Sequence, residues 1–271
     1  MIWAVKCLRP SIQLFPTTKV SVGTINSKNI EFFQWRTPKS RDVIVEPSEI
    51  AELKDFISPG DVAIDVGAQI GDSTLPIALA CGPTGHVFAF EPNPICFSVL
   101  AKNSFLNVQL TRITPIPFAC SEADESVVFN YSDRWLANGG DKSLFGMGHG
   151  HQFPVPVDGV HPLNFLEEHY AQELQRLRYI KIDVEGLDLM VLRQFEPRII
   201  KNAPFIKFEI AKFTSAKMRA ELVKFFEDKP YKFYHVDNEK RRLFGSPIDT
   251  SMFSKTESFD VFCVPTTFAG N

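Results

Sequence analysis

The sequence predicts an α/β protein built on a doubly wound, mostly parallel sheet. The prediction rests on three segments: VAIDVGAQIGDST over residues 62–74, HVFAFEPNP with its acidic residue Glu91, and RYIKIDVEGLDLMVL over residues 178–192. In each segment, a short apolar run leads through a polar turn into residues with helical spacing. Alternating strands and helices are typical of a parallel sheet with helices on both faces, and the ligands of such sheets bind at the carboxyl ends of the strands.

The length and composition fit one large globular domain with an N-terminal addition. The chain has 271 residues, of which 44% are hydrophobic and 23% are charged, so it can bury a full core. Short runs that alternate polar and apolar residues over 19–36 predict a small hairpin with its turn at Asn26 and Ser27. We therefore expect an arm and hairpin extension over residues 1–45 and the main domain over residues 46–271.

Charge and cysteine usage narrow the class of protein. A formal net charge of -3 gives no general electrostatic reason to expect a nucleic-acid partner. The five cysteines are scattered and never spaced C-x-x-C, which disfavours a disulfide framework or a thiolate zinc site and favours a reducing, cytoplasmic location. No apolar run approaches the roughly 20 residues that cross a bilayer, so no membrane span is expected.

The segments after residue 120 add further strands and a loop to this predicted fold. Apolar spacing predicts two final strands, YKFYHVD and SFDVFCVP, which we expect to be antiparallel. SEADESVVFNYSD predicts a turn that leads into an edge strand. Residues 135–153 are rich in Gly, His and Asn and show no sustained period, which predicts a long surface loop; loops of this length are usually either functional lids or disordered segments.

The glycine turn after the first buried strand favours a cationic nucleoside as ligand. Gly67 and Gly71 lack the third glycine of the G-x-G-x-x-G dinucleotide fingerprint, and Asp65 and Asp72 would repel a pyrophosphate. The same carboxylates suit ammonium, sulfonium and ribose groups, all of which S-adenosylmethionine carries. Glu91 ends the next strand, where an acidic side chain commonly binds ribose hydroxyls. A turn without a ligand is the alternative, and the second acidic strand end disfavours it.

The expected cofactor contacts extend to a third strand end. Residues 118–121 follow another apolar run, at a position where an adenine would stack or form hydrogen bonds. The residues expected to bind the cofactor are Asp65, Gly67, Ala68, Gln69, Gly71, Asp72, Ser73, Glu91, Pro92, Asn93, Ala119 and Ser121.

Asp183, Glu185 and His151 are the candidate catalytic residues. Asp183 and Glu185 directly follow a buried strand, and Glu209 ends the next one. One such carboxylate can cap a helix, but several that converge on one crevice are costly to bury unless they are paired, protonated or metal-bound. His149 and His151 form an H-x-H pair that suits a base, a metal ligand or a substrate contact, although exposed loop histidines often have no chemical role.

Four segments together resemble the FkbM family of S-adenosylmethionine-dependent methyltransferases: DVGAQIGDST, FAFEPNP, YIKIDVEGLDLMVL and PFIKFEI. The resemblance covers roughly residues 46–210. It implies a class I methyltransferase fold, which is Rossmann-like and has a seven-stranded sheet, and usually O-methylation of a sugar, polyketide or similar metabolite. The chain departs from the family pattern at Gln69, where Asn is usual, at Asn164, where Asp is common, and at Asp188, where Glu often occurs.

The resemblance also implies the course of the reaction. We expect an acceptor oxygen to attack the sulfonium methyl in line, with Asp183 and Glu185 as base or orienting groups. Alternatively, Asp183 and Glu209 share a divalent cation such as Mg²⁺, as in catechol-type methyltransferases of related fold. The expected acceptor is a small molecule or a glycan. An N-methyltransferase and an inactive protein that kept the fold for binding are the two rival interpretations.

Overall fold

The computed structural model describes residues 14–38, 40–131, 139–141, 153–184, 186–212, 214–239, 242–255 and 257–268. Its strands are β1 (Thr17–Ile25), β2 (Lys28–Trp35), β3 (Val62–Val66), β4 (His86–Phe90), β5 (Ile113–Ile116), β6 (Ala119–Cys120), β7 (Glu125–Tyr131), β8 (Gly139–Asp141), β9 (Phe153–Val160), β10 (Leu177–Ile182), β11 (Phe205–Ile210), β12 (Tyr231–His235), β13 (Pro247–Ile248) and β14 (Phe259–Pro265). Its α-helices are α1 (Pro47–Lys54), α2 (Thr74–Cys81), α3 (Pro94–Ser104), α4 (Pro162–Tyr170), α5 (Asp188–Gln194), α6 (Glu196–Asn202) and α7 (Ala216–Phe226).

The main sheet confirms the predicted α/β class. Its strand order is β13-β12-β14-β11-β10-β3-β4-β5, in which β11, β10, β3, β4 and β5 are parallel neighbours. The expected strands YKFYHVD and SFDVFCVP are β12 and β14, and both run antiparallel to their neighbours. The sheet has eight strands rather than seven because the two-residue β13 pairs with β12. An element of two residues is too short to produce a sequence period.

Helices cover both faces of this sheet and bury its centre. All five residues of β3 and all five of β4 are buried, as their nearly unbroken apolar runs require. On one face, β3, β4 and β10 pack against side chains of α4, α5 and α7. On the other face, α1 and α2 contribute Leu53 and Ile77 to a second apolar cluster. No helix of the described residues is long and apolar enough to span a membrane.

The N-terminal hairpin forms as predicted, with Asn26 and Ser27 at positive φ angles of 48° and 63° in its turn. Two asparagine side chains attach the hairpin to the domain by forming the paired hydrogen bonds that the backbone of a neighbouring strand would form. Asn103 accepts a hydrogen bond from the Phe33 N–H and donates one to the Phe33 carbonyl, and Asn107 does the same with Glu31. The hairpin is therefore held by paired amide hydrogen bonds as well as by apolar contacts.

A second sheet with the order β6-β9-β7-β8 was not predicted from the sequence. SEADESVVFNYSD does contain a strand, β7, but it lies between β9 and β8 rather than at an edge. The expected loop over 135–153 is wrong where the structure describes it, because β8 lies within that range and β9 begins at its end; its other residues lie outside the described residues. Pro154 and Pro156 conceal β9, since proline usually argues against a strand.

Prolines are compatible with β9 because of its place in the second sheet. β9 pairs along its length with β7, but β6 pairs only with Gly159 and Val160. Among the described strands, none pairs with the side of Pro154 and Pro156 that faces away from β7, and a missing N–H group on that side costs no ladder hydrogen bond.

Candidate functional site

The turn between β3 and α2 is the centre of the candidate site. Gly67 and Gly71 have φ angles of 79° and 93°, and Gln69 between them has a φ angle of 48°. The backbone N–H groups of Gly67 and Ala68 both donate to the carbonyl of Phe90, which ties the turn to the end of β4. The turn thus lies at the carboxyl edge of the central strands, as the sequence predicts.

Gly67 is required by a close approach of two backbone segments. A Cβ atom at this position would lie 2.0 Å from the carbonyl oxygen of Asp183, at the end of β10. The Asp183 N–H also donates to the carbonyl of Val66, at 3.0 Å. The glycine therefore allows the two acidic strand ends to pass each other at a distance that no side chain permits.

Asp65 is fully buried below the turn and its carboxylate is engaged by the protein. The hydroxyls of Ser73 and Thr74 donate to Oδ2 at 2.9 and 2.7 Å, and Nζ of Lys181 donates to Oδ1 at 3.1 Å. These contacts fix the start of α2 against the end of β3. Asp65 therefore shapes the turn from beneath.

Lys181 is the main residue of the site that the sequence analysis missed. It is only 6% exposed, and its Nζ lies 3.1 Å from Asp65 and 3.7 Å from Asp183. Burial alone would lower the pKa of Lys181, but the carboxylates of Asp65 and Asp183 outweigh this effect and raise it. The available signal was a charged residue within the apolar run YIKI, because such a residue needs a partner.

Glu91 lies at the end of β4 and is 7% exposed. Its two carboxylate oxygens accept hydrogen bonds from the backbone N–H groups of Gln69 and Asn93, each at 2.8 Å. Burial raises the pKa of Glu91 to about 7, although these two hydrogen bonds favour the charged form. The carboxylate therefore changes its charge near neutral pH.

A cavity of about 370 Å³ opens above these strand ends, and we call it the glycine-turn cavity. Its volume is within the range of small-molecule sites. The predicted cofactor residues that line it are Gly67, Gln69, Asp72, Ser73, Glu91, Pro92, Asn93 and Ala119. Asp65, Ala68, Gly71 and Ser121 are buried and do not line it. The hydroxyl of Ser121 instead donates to Glu125.

The second sheet adds residues that the sequence did not predict to the wall formed by residues 118–120. Phe129 and Tyr131 of β7 line the glycine-turn cavity together with Phe118 and Cys120. Tyr131 is only 4% exposed, and burial, with a smaller effect from the nearby Glu91, raises its pKa. These side chains give the cavity a largely apolar wall.

Asp183 lines the glycine-turn cavity, and its side chain is 46% exposed. Glu209 is half-buried within β11, and its Oε1 accepts a hydrogen bond from Ser258 at 2.7 Å. Burial raises the pKa of Glu209, and the charge of Asp183 adds to this effect. Glu185 and His151, the other candidate catalytic residues, lie outside the described residues.

Within the described part of the chain, no group of three or more His, Cys, Asp or Glu side chains is arranged to hold a metal ion.

Asp188 fixes the segment after β10 to β11. It is 2% exposed, and its carboxylate accepts hydrogen bonds from the backbone N–H groups of Gly186 at 3.2 Å and Glu209 at 3.1 Å. Burial raises the pKa of Asp188 well above its ordinary value. The position that departs from the family pattern thus has a structural role.

Comparison with known proteins agrees with this geometry. A model of the methyltransferase FkbM domain matches residues 65–242, well over half of the chain. The chain is 27% identical over 210 residues to the hexuronic acid methyltransferase AglP of Haloferax volcanii, which covers 73% of this chain and 78% of that protein. It is 26% identical over 152 residues to the methyltransferase sdnD of Sordaria araneosa, covering 48% of this chain and 58% of that protein.

A solved structure of a methyltransferase FkbM from Methylobacillus flagellatus KT is similar to this chain with a TM-score of 0.48 and 15% identity. The similarity covers 77% of this chain and 44% of that one. The chain thus spans less than half of the solved structure.

The contact between Gly67 and Asp183 generates a stability prediction. We expect Gly67→Ala to lower the free energy of unfolding by about 3 kcal/mol or more, because the added methyl group meets backbone as well as an unfavourable φ angle. Gly60→Ala is the matched control, since its φ angle is 100° but its Cβ would be 3.7 Å from the nearest atom. We expect the control to cost about 1–2 kcal/mol. Urea unfolding of both variants measures the difference, and equal losses would show that the close approach is unimportant.

Proposed function

Because the chain belongs to the FkbM family of S-adenosylmethionine-dependent methyltransferases, we propose that it methylates a hydroxyl group of a sugar, glycan, polyketide or related small metabolite. The glycine-turn cavity is the observation that carries this proposal. It combines a backbone turn at the carboxyl edge of the sheet with a carboxylate, Glu91, at the end of the adjacent strand. This arrangement suits a nucleoside with free ribose hydroxyls.

A sugar is the favoured class of acceptor. The relative AglP is named as a hexuronic acid methyltransferase, and its similarity extends over most of both chains. We extend this acceptor class to the present protein as part of the proposal. The scattered cysteines favour the cytoplasm as its location.

The donor supplies an activated methyl group, so the protein mainly has to bind and align its two substrates. In the proposed site, Glu91 accepts hydrogen bonds from ribose hydroxyls. Gln69 and Ser73 border the methionine part of the donor, and the apolar side of the cavity, which includes Ala119, borders the adenine. We propose Asp183, Glu185 and His151 as groups that orient the acceptor or receive its proton.

Binding of S-adenosylhomocysteine tests the proposal most directly. We expect isothermal calorimetry to detect one site per chain, and labelled S-adenosylmethionine to transfer its methyl group to an oxygen of a sugar acceptor. Product analysis separates an O-methyl from an N-methyl product. Folded protein that does not bind S-adenosylhomocysteine would contradict the proposed function, whereas binding without transfer to any acceptor would favour a protein that only kept the fold.

The raised pKa of Glu91 generates a pH prediction. Ribose hydroxyls donate to the carboxylate, so binding requires the charged form, which predominates above the pKa of about 7. We expect S-adenosylhomocysteine to bind about tenfold more weakly at pH 6 than at pH 8, since protonation removes the acceptor as the pH falls. Glu91→Gln should remove this part of the pH dependence and bind more weakly throughout. Glu168→Gln, an exposed position on α4, is the control that should keep the wild-type profile. Identical profiles for wild type and Glu91→Gln would exclude the assigned role.

Dependence of methyl transfer on Mg²⁺ is a separate prediction. Asp183 and Glu209 would supply two oxygen ligands, and Mg²⁺ commonly takes its others from water and substrate. If the ion activates the acceptor, EDTA should abolish methyl transfer and excess Mg²⁺ should restore it. Activity that persists in EDTA would remove the metal from the mechanism.

A further inference from the structure

A second cavity lies next to the glycine-turn cavity and has no assigned role. It has a volume of about 490 Å³, and it is lined by residues from the end of the hairpin, from α1, from the start of α2, and by Val236, Asn238 and Leu243. We call it the hairpin-side cavity. The two cavities share a wall, to which five residues contribute: Gln69, Asp72, Ser73, Lys181 and Lys207.

The shared wall is where a methyl group would pass between two substrates. In-line transfer requires the attacking oxygen to lie within contact distance of the methyl carbon, opposite the leaving sulfur. If the glycine-turn cavity holds the donor, the acceptor must approach the methyl group from an adjoining space. The hairpin-side cavity is such a space, because it touches the same residues from the other side.

Most polar groups of the shared wall are already engaged. Lys181 lies 3.1 Å from Asp65, and Lys207 lies 2.7 Å from Asp260 on β14. The hydroxyl of Ser73 donates to Asp65 at 2.9 Å. These three side chains therefore have partners within the protein and form a fixed part of the wall.

Asp72 differs from these neighbours. Its side chain is exposed and forms no ion pair with a described residue. Among the described residues, it is also the one carboxylate that lines both cavities: Asp183 and Glu91 line only the glycine-turn cavity, and Glu49 lines only the hairpin-side cavity. A carboxylate at this junction can contact both an acceptor hydroxyl and the space in which the methyl group moves.

We propose that the hairpin-side cavity receives a sugar acceptor and that Asp72 takes the proton from the hydroxyl that is methylated. This inference rests on the proposed function. In the step, the hydroxyl proton moves to the Asp72 carboxylate while the acceptor oxygen forms a bond to the methyl carbon. The carbon–sulfur bond of the donor breaks, and its electron pair stays on sulfur, so a cationic sulfonium becomes a neutral thioether. Charge, atoms and electrons balance without a further reactant.

The electrostatics around Asp72 fit a general base. The surrounding walls leave the side chain accessible but desolvate it, and this raises the pKa of Asp72 above its ordinary value. The ammonium of Lys181 partly opposes that effect, whereas the charge of Asp65 adds to it. A carboxylate with a raised pKa is a stronger base than an ordinary carboxylate.

The remaining walls of the hairpin-side cavity suit a sugar. Trp35, Leu53 and Ile77 supply apolar surface, and Arg41 supplies hydrogen-bond donors. Sugars present both apolar C–H faces and hydroxyl groups, so a site that mixes the two kinds of surface matches them. The Arg41 guanidinium forms no ion pair with a described carboxylate, and it would also accommodate an acidic substituent such as a uronate.

Asp72→Asn tests the proposal when it is compared with Asp183→Asn, which removes the alternative proton acceptor and should lose less kcat, and with Asp55→Asn, an exposed control position at the end of α1. The probes are S-adenosylhomocysteine for binding and p-nitrophenyl glycosides of hexoses and hexuronic acids for methyl transfer. We expect Asp72→Asn to bind S-adenosylhomocysteine within about threefold of wild type and to lose at least about 100-fold in kcat, the usual range for removing a general base. At saturating S-adenosylmethionine, where protonation of Glu91 no longer limits donor binding, the residual kcat of Asp72→Asn should lose the acid limb of the wild-type pH profile, and Asp55→Asn should behave like wild type.

Each other outcome has a separate meaning. Wild-type protein that does not bind S-adenosylhomocysteine contradicts the proposed function itself. Wild-type protein that binds it but methylates none of the glycosides overturns the sugar assignment. If the wild type is active and Asp72→Asn keeps both its kcat and its pH profile, Asp72 is not the base. If Asp72→Asn loses S-adenosylhomocysteine binding in parallel with activity, the residue belongs to the donor site instead.

Discussion

The buried ion pair between Asp65 and Lys181 is the interaction on which the geometry of the site depends. It joins β3 to β10 at the edge where both strands end, and Asp183 lies within reach of the same ammonium. Removing one member of a buried pair leaves an uncompensated charge, at a cost of about 3–5 kcal/mol. Because Ser73 and Thr74 donate to the same carboxylate, this pair also fixes the first turn of α2. The glycine turn, the start of a helix and two strand ends are thus set by a single charged contact.

The second constraint is steric. Gly67 allows the turn to pass close to the backbone of Asp183. On the other side, the carboxylate of Glu91 accepts a hydrogen bond from the Gln69 N–H. The turn is therefore held between the ends of β10 and β4. The turn forms part of the wall between the two cavities, because Gln69, Asp72 and Ser73 line both of them.

The sequence reveals those parts of the site that depend only on residues close together in the chain. Gly67 and Glu91 are recognisable because each follows an apolar run directly, and the spacing of such runs along the chain reports the order of strands and helices. The pairing of Lys181 with Asp65 is not recognisable, since 116 residues separate the two and only the strand order brings them together. The contribution of Tyr131 to the site was missed for a different reason. Its strand was expected from the sequence, but Pro154 and Pro156 conceal the neighbouring β9, and with it the sheet that places Tyr131 at the cavity.

The attachment of the hairpin has a consequence for the whole site. Asn103 pairs with Phe33 of the hairpin, and its Nδ2 also donates to the carbonyl of Ile70 in the glycine turn, at 2.8 Å. One side chain therefore belongs to both elements. Because the same amide group holds both elements, substitution of Asn103 would disturb the hairpin and the glycine turn together. Asn103 thus helps to position the glycine turn, which borders both cavities, relative to the hairpin, whose end borders the hairpin-side cavity.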